Sequence, residues 1–335
     1  LLLAVAVLIA VPFVADRYWL DVVNLTAVYV VGAVALVILT GFTGQISLGH
    51  AGFLAVGAYC AAVLGNHLGV PFWLVIPAAG AAAAAVGLAA GPFALRLRGL
   101  YLAIITIGLV FVVNHVLRSF PGLTGGVQGT SVPMLWWFDK EAAADFLGGY
   151  RAATSVGPMT IGTDVKIYGL FVLLAVFTAW CGVNIRRSNS GRAMMAVRDH
   201  DLAAAVLGVS PAKYKIIAFG ISSFFAGVAG AMYAFKATYI TIDPPFNMNM
   251  SVEFIAIIVI GGATTVFGAV AGALFFGLVR PLAESAANRL DLLEALTASQ
   301  QSLLVLALLV IGFRLLEPTG LRGIWMKVKR YFASW

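Results

Sequence analysis

Nine apolar runs divide this chain, and most of them are long enough to cross a lipid bilayer. An α-helix rises about 1.5 Å per residue, so about 20 residues cross the hydrocarbon core. Hydrophobic residues make up 61% of the chain and charged residues only 10%, whereas soluble domains carry about 25% charged residues. The pattern predicts an all-α polytopic membrane protein, with one transmembrane domain over residues 1–335. The runs lie at about 1–15, 20–40, 47–65, 73–92, 100–117, 166–184, 214–235, 251–283 and 300–316.

The run 251–283 is too long for a single crossing and is rich in glycine. Unwound backbone at membrane depth is tolerated only where protein or a watery cavity surrounds it. We therefore expect a broken or re-entrant glycine-rich hairpin here, beside about eight transmembrane helices. Glu253, near one mouth of this hairpin, is either functional, as acids within membrane spans tend to be, or a helix cap. Small residues four apart in other runs, such as Ser223 and Gly227, predict close helix packing.

Basic residues set the expected orientation. Lys and Arg gather beside spans in 186–215, at Arg96 and Arg98, and in the tail 321–335. The positive-inside rule places these segments in the cytoplasm and makes 119–165 an extracytoplasmic loop. The tail is expected to lie as an amphipathic helix along the inner membrane surface. The same distribution explains the net charge of +7, so we do not expect nucleic acid as a partner.

The segment 186–215 is the most polar stretch between two spans, and it is predicted to form short helices. Gly191 lies near the start of the first helix, and Asp199 is predicted to cap the second. Gly208 is a natural end for that second helix, and Ser210-Pro211 opens a third. A basic, amphipathic loop of this kind is suited to contact a cytoplasmic partner.

The segment 40–60 contains five glycines and several polar residues within what would otherwise be a continuous span. Broken helices expose backbone N–H and C=O groups that can bind the charged ends of a zwitterion. The alternative is a polar loop at the inner surface, and His50 serves a substrate or an interhelical hydrogen bond equally well. We expect the substrate pathway at this break and at the glycine-rich hairpin, and its predicted residues are Thr43, Gly44, Gln45, Ser47, His50, Gly261 and Gly262.

Motifs of catalysis are missing from the sequence. It has no phosphate-binding G-x-x-x-x-G-K-[ST] loop, no H-E-x-x-H and no G-x-S-x-G. Cys60 and Cys181 lie far apart in apolar runs, which is typical of buried packing. We therefore expect no catalytic residue, no metal site, no cofactor and no enzymatic activity in this chain alone.

Several ordered motifs make the chain resemble one family. TGFTGQISLGHAGFLAVGAY at 40–59 closely resembles the opening signature of bacterial branched-chain amino acid ABC transporter permeases of the LivM type. YLAIITIG with LTGGVQG, then GRAMMAVRDHDLAAAVLGVSPAKYK, VIGGATTVFGAVAGA and FRLLEPTGLRGIWMKVK are similar to later parts of that family. GGVQGTSVP departs from the Asn-Gly form that is commoner in the outer loop, which leaves the substrate open.

The resemblance implies a type II-like ABC importer permease of the bacterial inner membrane. Its partners would be a homologous second permease forming a heterodimer, two cytoplasmic ATP-binding subunits, an extracytoplasmic substrate-binding protein and the lipid bilayer. ATP hydrolysis on those partners would drive import of branched-chain or related hydrophobic amino acids. Alternatives are a permease of the same family for urea or short amides, and an ion-driven secondary transporter. The segment 191–208 would act as a lever for ATPase coupling through Gly191, Arg192, Arg198, Asp199, Asp201 and Gly208.

Overall fold

The computed structural model describes residues 16–95, 99–134, 154–156, 159–161, 163–290, 307–308, 311–312, 317 and 320–333. The helices in chain order are α1 (Arg17–Leu36), α2 (His50–Leu68), α3 (Phe72–Leu95), α4 (Leu100–Ser119), α5 (Pro121–Thr124), α6 (Thr163–Arg187), α7 (Asn189–Asp199), α8 (Asp201–Val206), α9 (Pro211–Ala237), α10 (Met248–Gly261), α11 (Val266–Leu290) and α12 (Leu321–Ala333). A π-helical turn at Val37–Gly41 extends α1, and Gly126–Gln128 form a 3₁₀ turn. Two antiparallel pairs of short strands join β1 (Thr130–Ser131) to β4 (Tyr239–Ile240) and β2 (Thr154–Val156) to β3 (Met159–Ile161).

The described part of the chain confirms a polytopic helical protein. Six helices are long and apolar enough to span a membrane, namely α1 with its π turn, α2, α3, α4, α6 and α9. Helices α10 and α11 together form a broken unit bent by 115°, which confirms a break in the glycine-rich run. The predicted span at 1–15 and most of that at 300–316 lie outside the described residues. The count of eight spans and the re-entrant reading of the hairpin therefore stay predictions.

Helices α2, α3 and α9 pack at backbone distance because glycines face one another. A Cβ at Gly57 would lie 2.5 Å from the Cα of Gly227, and a Cβ at Gly227 would lie 2.5 Å from the Cβ of Ala83. Gly230 likewise faces the backbone of Leu54. These contacts confirm the predicted packing through small residues, since closely approaching backbones gain van der Waals energy that lipid cannot replace.

The bundle has two chemically different ends. We call one the basic end, because it carries Arg198, Lys213 and Lys215 together with the start of α12. We call the other the strand end, because β1 and β4 pair there. At the strand end Asn66 Nδ2 donates to Ser131 O over 2.7 Å, which ties the end of α2 to the glycine-rich turn before β1.

Local rules predicted two helix ends at the basic end, since Gly208 follows α8 with φ 84° and Ser210 caps α9. The cap of α7 was not predicted: α7 begins at Asn189, and Ser188 caps it by accepting a hydrogen bond from Gly191 N at 3.1 Å. The prediction that Asp199 caps α8 is wrong. His200 occupies the N-cap position and makes no side-chain cap bond, because the Asp199 carboxylate accepts from Arg198 instead.

Candidate functional site

The chain leaves helical geometry between Gly44 and Gly49, two residues after the π-helical turn that extends α1. Four of the predicted pathway residues in and beside this break are buried, with exposed fractions of 4% or less: Thr43, Gln45, Ser47 and His50. Gly44 is exposed and has φ 71°, a conformation that a side chain would strain. The break therefore runs through the protein interior, while Gly44 and Ile46 are exposed to the outside. We call Gly41–His50 the broken segment.

Short-range hydrogen bonds hold the start of the broken segment. Thr43 Oγ1 donates to Leu39 O at 2.6 Å, and Gln45 Nε2 donates to Thr43 Oγ1 at 2.9 Å. Thr40 Oγ1 donates to Gln45 O at 3.1 Å. These bonds satisfy backbone and side-chain groups that would otherwise be costly to bury. The conformation around Gln45 is thus defined by its own neighbours in the sequence.

Two other helices donate or accept hydrogen bonds at the end of the broken segment. Leu48 N donates to Thr106 Oγ1 of α4 at 2.9 Å, and Ala51 N donates to Ser251 Oγ of α10 at 3.0 Å. The second bond supplies a partner for one of the free N–H groups at the start of α2. The segment is therefore pinned between α4 and α10, and movement of either helix acts on it directly.

His50 lies deep among the helices and is 2% exposed. Its side chain lies beside the backbone of Gly32 in α1, and its ring stacks edge-on against Phe254 of α10 with centroids 4.8 Å apart. The ring nitrogen Nε2 has no hydrogen-bond partner among the described residues. His50 therefore packs between α1 and α10, and its hydrogen bonding to a helix or to substrate stays a prediction.

The broken segment meets the predicted coupling loop in one cleft at the basic end. Arg198 Nη1 donates to Gly41 O at 2.7 Å, and Gln45 Nε2 donates to Lys215 O at 3.3 Å. The cleft has a volume of about 300 Å³. Its lining residues are Thr43, Gly44, Gln45, Gly99, Leu102, Val197, Arg198, Asp199, His200, Asp201 and Lys215. Residues of the two sets that the sequence assigned to separate tasks thus line one cleft.

Charge pairs organise the coupling side of the cleft. Arg198 Nη2 lies 2.8 Å from Asp199 Oδ1, and Lys215 Nζ lies 3.8 Å from Asp201 Oδ2. Arg192 bonds within its own helix region, to Asn189 Oδ1 and to Arg187 O at 3.1 Å. In the described part of the chain, Arg198 is the predicted coupling residue that bonds to Gly41 O, in the π-helical turn that extends α1.

Gly261 and Gly262 lie where α10 and α11 separate. Gly261 is buried against the backbone of Gly268 and Gly272, with a would-be Cβ 2.8 Å from Gly272 N. Gly41 of the broken segment faces the carbonyl of Ala263 in the same turn. Arg322 at the start of α12 donates to Thr264 Oγ1 at 2.7 Å. The glycine-rich break thus adjoins the broken segment at the basic end, and its part in a pathway stays a prediction.

Two residues that contribute to the cleft, Gly41 and Lys215, were not predicted from the sequence. Both act through a backbone carbonyl, and no side-chain pattern reports such a role. The π-helical turn at Val37–Gly41, which precedes the break, was also missed. Such turns occur frequently at functional sites. They differ from an α-helix in which backbone groups are hydrogen-bonded, and no residue pattern in this sequence indicates that difference.

An exposed apolar face lies beside the cleft, on α8 and the residue that follows it. Leu202, Val206 and Leu207 are 71%, 88% and 83% exposed, and Ala203 and Ala205 are exposed between them. We call these five residues the α8 face. Exposed apolar clusters of this kind mark interaction surfaces, and this one is directly joined through α8 and α7 to the Arg198 contact.

Gln45 provides a first prediction, in the assembled transporter. Gln45→Ala removes a local bond to Thr43 and the bond to Lys215 O, and only the second joins two distant segments. Loss of that one neutral bond, about 0.5–1.5 kcal/mol, should slow uptake by about tenfold at most. Gln45→Glu should be worse than Ala, because a buried carboxylate would face the acceptor oxygen of Lys215. Initial uptake rates in proteoliposomes measure both effects. Equal rates for Gln45→Glu and the parent, with the assembly intact, would remove Gln45 from the working part of the cleft.

Comparison with known proteins gives the family. The family described as "Branched-chain amino acid transport system / permease component" matches residues 18–313. The chain is 32% identical over 318 residues to the high-affinity branched-chain amino acid transport system permease protein LivM of Escherichia coli K12, covering 93% of this chain and 72% of that protein. It is 30% identical over 326 residues to LivM of Salmonella typhimurium, covering 96% and 74%.

A further relative carries a different name. The autoinducer 2 import system permease protein LsrC of Escherichia coli is 28% identical over 287 residues, covering 82% of this chain and 75% of LsrC. No solved structure matches the chain. The family match extends from the beginning of α1 into the run after α11 and so includes both the broken segment and the coupling loop. With its apolar helices, this chain therefore belongs to the permease family of branched-chain amino acid transport systems and is an ABC-type transport permease of the bacterial inner membrane.

Proposed function

We propose that this chain is one of two homologous permeases of an ABC importer for branched-chain amino acids. Two cytoplasmic ATP-binding subunits would dock at the basic end, and an extracytoplasmic binding protein would deliver the amino acid at the strand end. The names of the LivM relatives support this substrate class. The basic residues at one end support its cytoplasmic placement, by the positive-inside rule.

The observation that carries the proposal is the Arg198–Gly41 hydrogen bond at 2.7 Å. It links the loop that bears the exposed α8 face to the end of α1, where the broken segment begins. A force applied to α8 by a docked ATPase would pass through α7 to this bond. The same movement would act on Gln45 through the Lys215 carbonyl. Access to the pathway would then change at the break, as a lever mechanism requires.

The function is tested by uptake of labelled leucine into proteoliposomes that contain the complete assembly and external binding protein. We expect uptake only with ATP inside the vesicles and a hydrolysable γ-phosphate. Isoleucine and valine should compete, whereas urea and short amides should not. Uptake that is driven by an ion gradient without ATP, or competition by urea alone, would overturn the proposal.

Arg198→Ala tests the link itself. Loss of a charged hydrogen bond costs about 1.5–3 kcal/mol, so uptake should fall by about 10- to 100-fold while ATP hydrolysis continues. Lys329→Ala is the matched control, because it removes one positive charge from an exposed position of α12 at the same end. Parallel assays of uptake and phosphate release measure the coupling ratio. A parental ratio in Arg198→Ala would show that force does not travel through this bond.

A further inference from the structure

A charged cluster lies between helices away from the cleft. Arg280 Nη1 of α11 is 3.8 Å from Glu253 Oε2 of α10, and it donates to the Tyr29 hydroxyl of α1 at 2.8 Å. Tyr233 of α9 lies within electrostatic range of both charges. Four helices therefore contribute to one polar site. Glu253 is not a helix cap, since Asn247 caps α10 by accepting from Met250 N at 3.3 Å.

The cluster lies well inside the bundle. At 1.5 Å per residue, Tyr29 is about 18 Å along α1 from Gly41 at the basic end and about 12 Å from Asp21 toward the strand end. Asp21 pairs with Lys236 at 3.0 Å. Because Arg280 is bonded to Tyr29, its guanidinium is held at this depth and does not extend to the membrane surface. Charges at such depth face protein or a water-filled cavity, since lipid cannot solvate them.

The two charges are nevertheless partly accessible in this chain. The Arg280 and Glu253 side chains are 39% and 23% exposed. Met248 and Val252 of α10 are 41% and 45% exposed, and both lie within about one and a half helical turns of Glu253. The accessible surface of α10 and α11 here thus carries a positive group, a negative group and two apolar side chains.

We propose that Glu253 and Arg280 bind the charged head of the transported amino acid on its way through the membrane. This inference rests on the proposed function and adds the residues that contact the substrate. An α-amino acid zwitterion carries an ammonium and a carboxylate on one carbon, and its aliphatic side chain needs an apolar wall. Glu253 receives the ammonium, Arg280 receives the carboxylate, and Met248 with Val252 contacts the side chain.

The geometry of the pair suits transient binding. Its N–O separation of 3.8 Å exceeds a hydrogen-bond distance, so the two groups attract each other without a tight contact that substrate would have to break. A guanidinium has five N–H donors and can hold Tyr29 while it receives a carboxylate. With no substrate the opposite charges compensate each other, which lowers the cost of keeping them at this depth.

The experiment pairs variants with substrate analogues. Saturation-transfer NMR on the complete assembly in nanodiscs, without binding protein, would compare leucine with N-acetylleucine, which lacks the ammonium, and leucinamide, which lacks the carboxylate. The parent should prefer leucine over each analogue by about tenfold. Glu253→Gln should lose the preference over N-acetylleucine alone, and Arg280→Gln the preference over leucinamide alone. Asp21→Asn, which breaks the separate pair with Lys236, should behave like the parent.

The outcomes separate this inference from the proposed function. If the parent imports leucine but shows no leucine contact by NMR, or both variants keep both preferences, the site is wrong and the importer stands. If both variants lose leucine and all analogues equally, the pair is a structural contact and the inference fails. If the parent does not import leucine with its binding protein present, the proposed function fails, whatever the analogue pattern.

Discussion

A glutamate in place of Val206 is expected to remove the ATP-binding subunits from the assembly while the membrane bundle folds normally. Val206 is 88% exposed at the end of α8, so the substitution disturbs no internal packing. In the docked state the same carboxylate would be buried against a partner. An unsatisfied buried charge costs at least about 3 kcal/mol, which weakens docking by about a hundredfold.

Copurification of the ATP-binding subunits with the permease pair, and uptake by the reconstituted assembly, measure this effect. Val206→Ala should lose much less, since it removes only part of an apolar contact. Val127→Glu is the matched control for copurification, because Val127 is 81% exposed in the 3₁₀ turn at the opposite, strand end. If Val206→Glu retains both subunits at parental affinity, the α8 face is not where they dock.

The Val206 prediction depends on how α8 is connected to the helix bundle, and that arrangement could be predicted from the sequence only in part. Apolar runs of bilayer length set the positions of the spans, because hydrophobic length is a property of consecutive residues. The cap at Ser210 and the helix end at Gly208, with its φ of 84°, are equally local. These features could be read without knowing any contact between distant parts of the chain.

The contacts between distant residues could not be predicted in this way. Arg198 and Gly41 are 157 positions apart, and Gln45 and Lys215 are 170 apart. The sequence suggested that Asp199 would cap α8, because that rule considers only the neighbouring backbone. In the folded chain Arg198 stands beside Asp199 and competes for its carboxylate. At this position the ion pair with Arg198 takes the place of the helix cap that the local rule predicts.

The sequence left two interpretations of the broken segment open, a polar loop at the inner surface and a break within the membrane. The position of the segment combines features of both. Its first residues, Gly41 to Gln45, lie at the basic end against the coupling loop, as a loop at the inner surface would. Its last residues reach the helix interior, where His50 contacts Phe254 and Ala51 N bonds Ser251. The segment therefore connects the surface where coupling is proposed with the interior where Glu253 lies, on the same helix as Ser251.

Gly191→Ala is expected to disrupt coupling more than any change at Gly208, although both glycines bound the proposed lever. A Cβ at Gly191 would clash with the carbonyl oxygen of Ile185 and lie 2.8 Å from the Cα of Arg186. Both are backbone atoms of α6 and cannot rotate away. The start of α7 would have to move outward from the end of α6, carrying Arg198 with it. Uptake should fall at least about tenfold, as for loss of the Arg198 bond itself.

Gly208 requires a different property, its φ of 84°, and no atom lies within 4 Å of a would-be Cβ there. Asparagine tolerates this left-handed conformation better than other side chains do, so Gly208→Asn should transport near the parental rate. Gly191→Asn should fail as Gly191→Ala does, because its Cβ makes the same clash. Uptake and ATP hydrolysis of the three variants, each normalised to the amount of intact assembly, distinguish contact from conformation. If Gly191→Asn transports normally while Gly208→Asn fails, the lever is controlled at the turn after α8, and the close approach of α6 and α7 has no part in coupling.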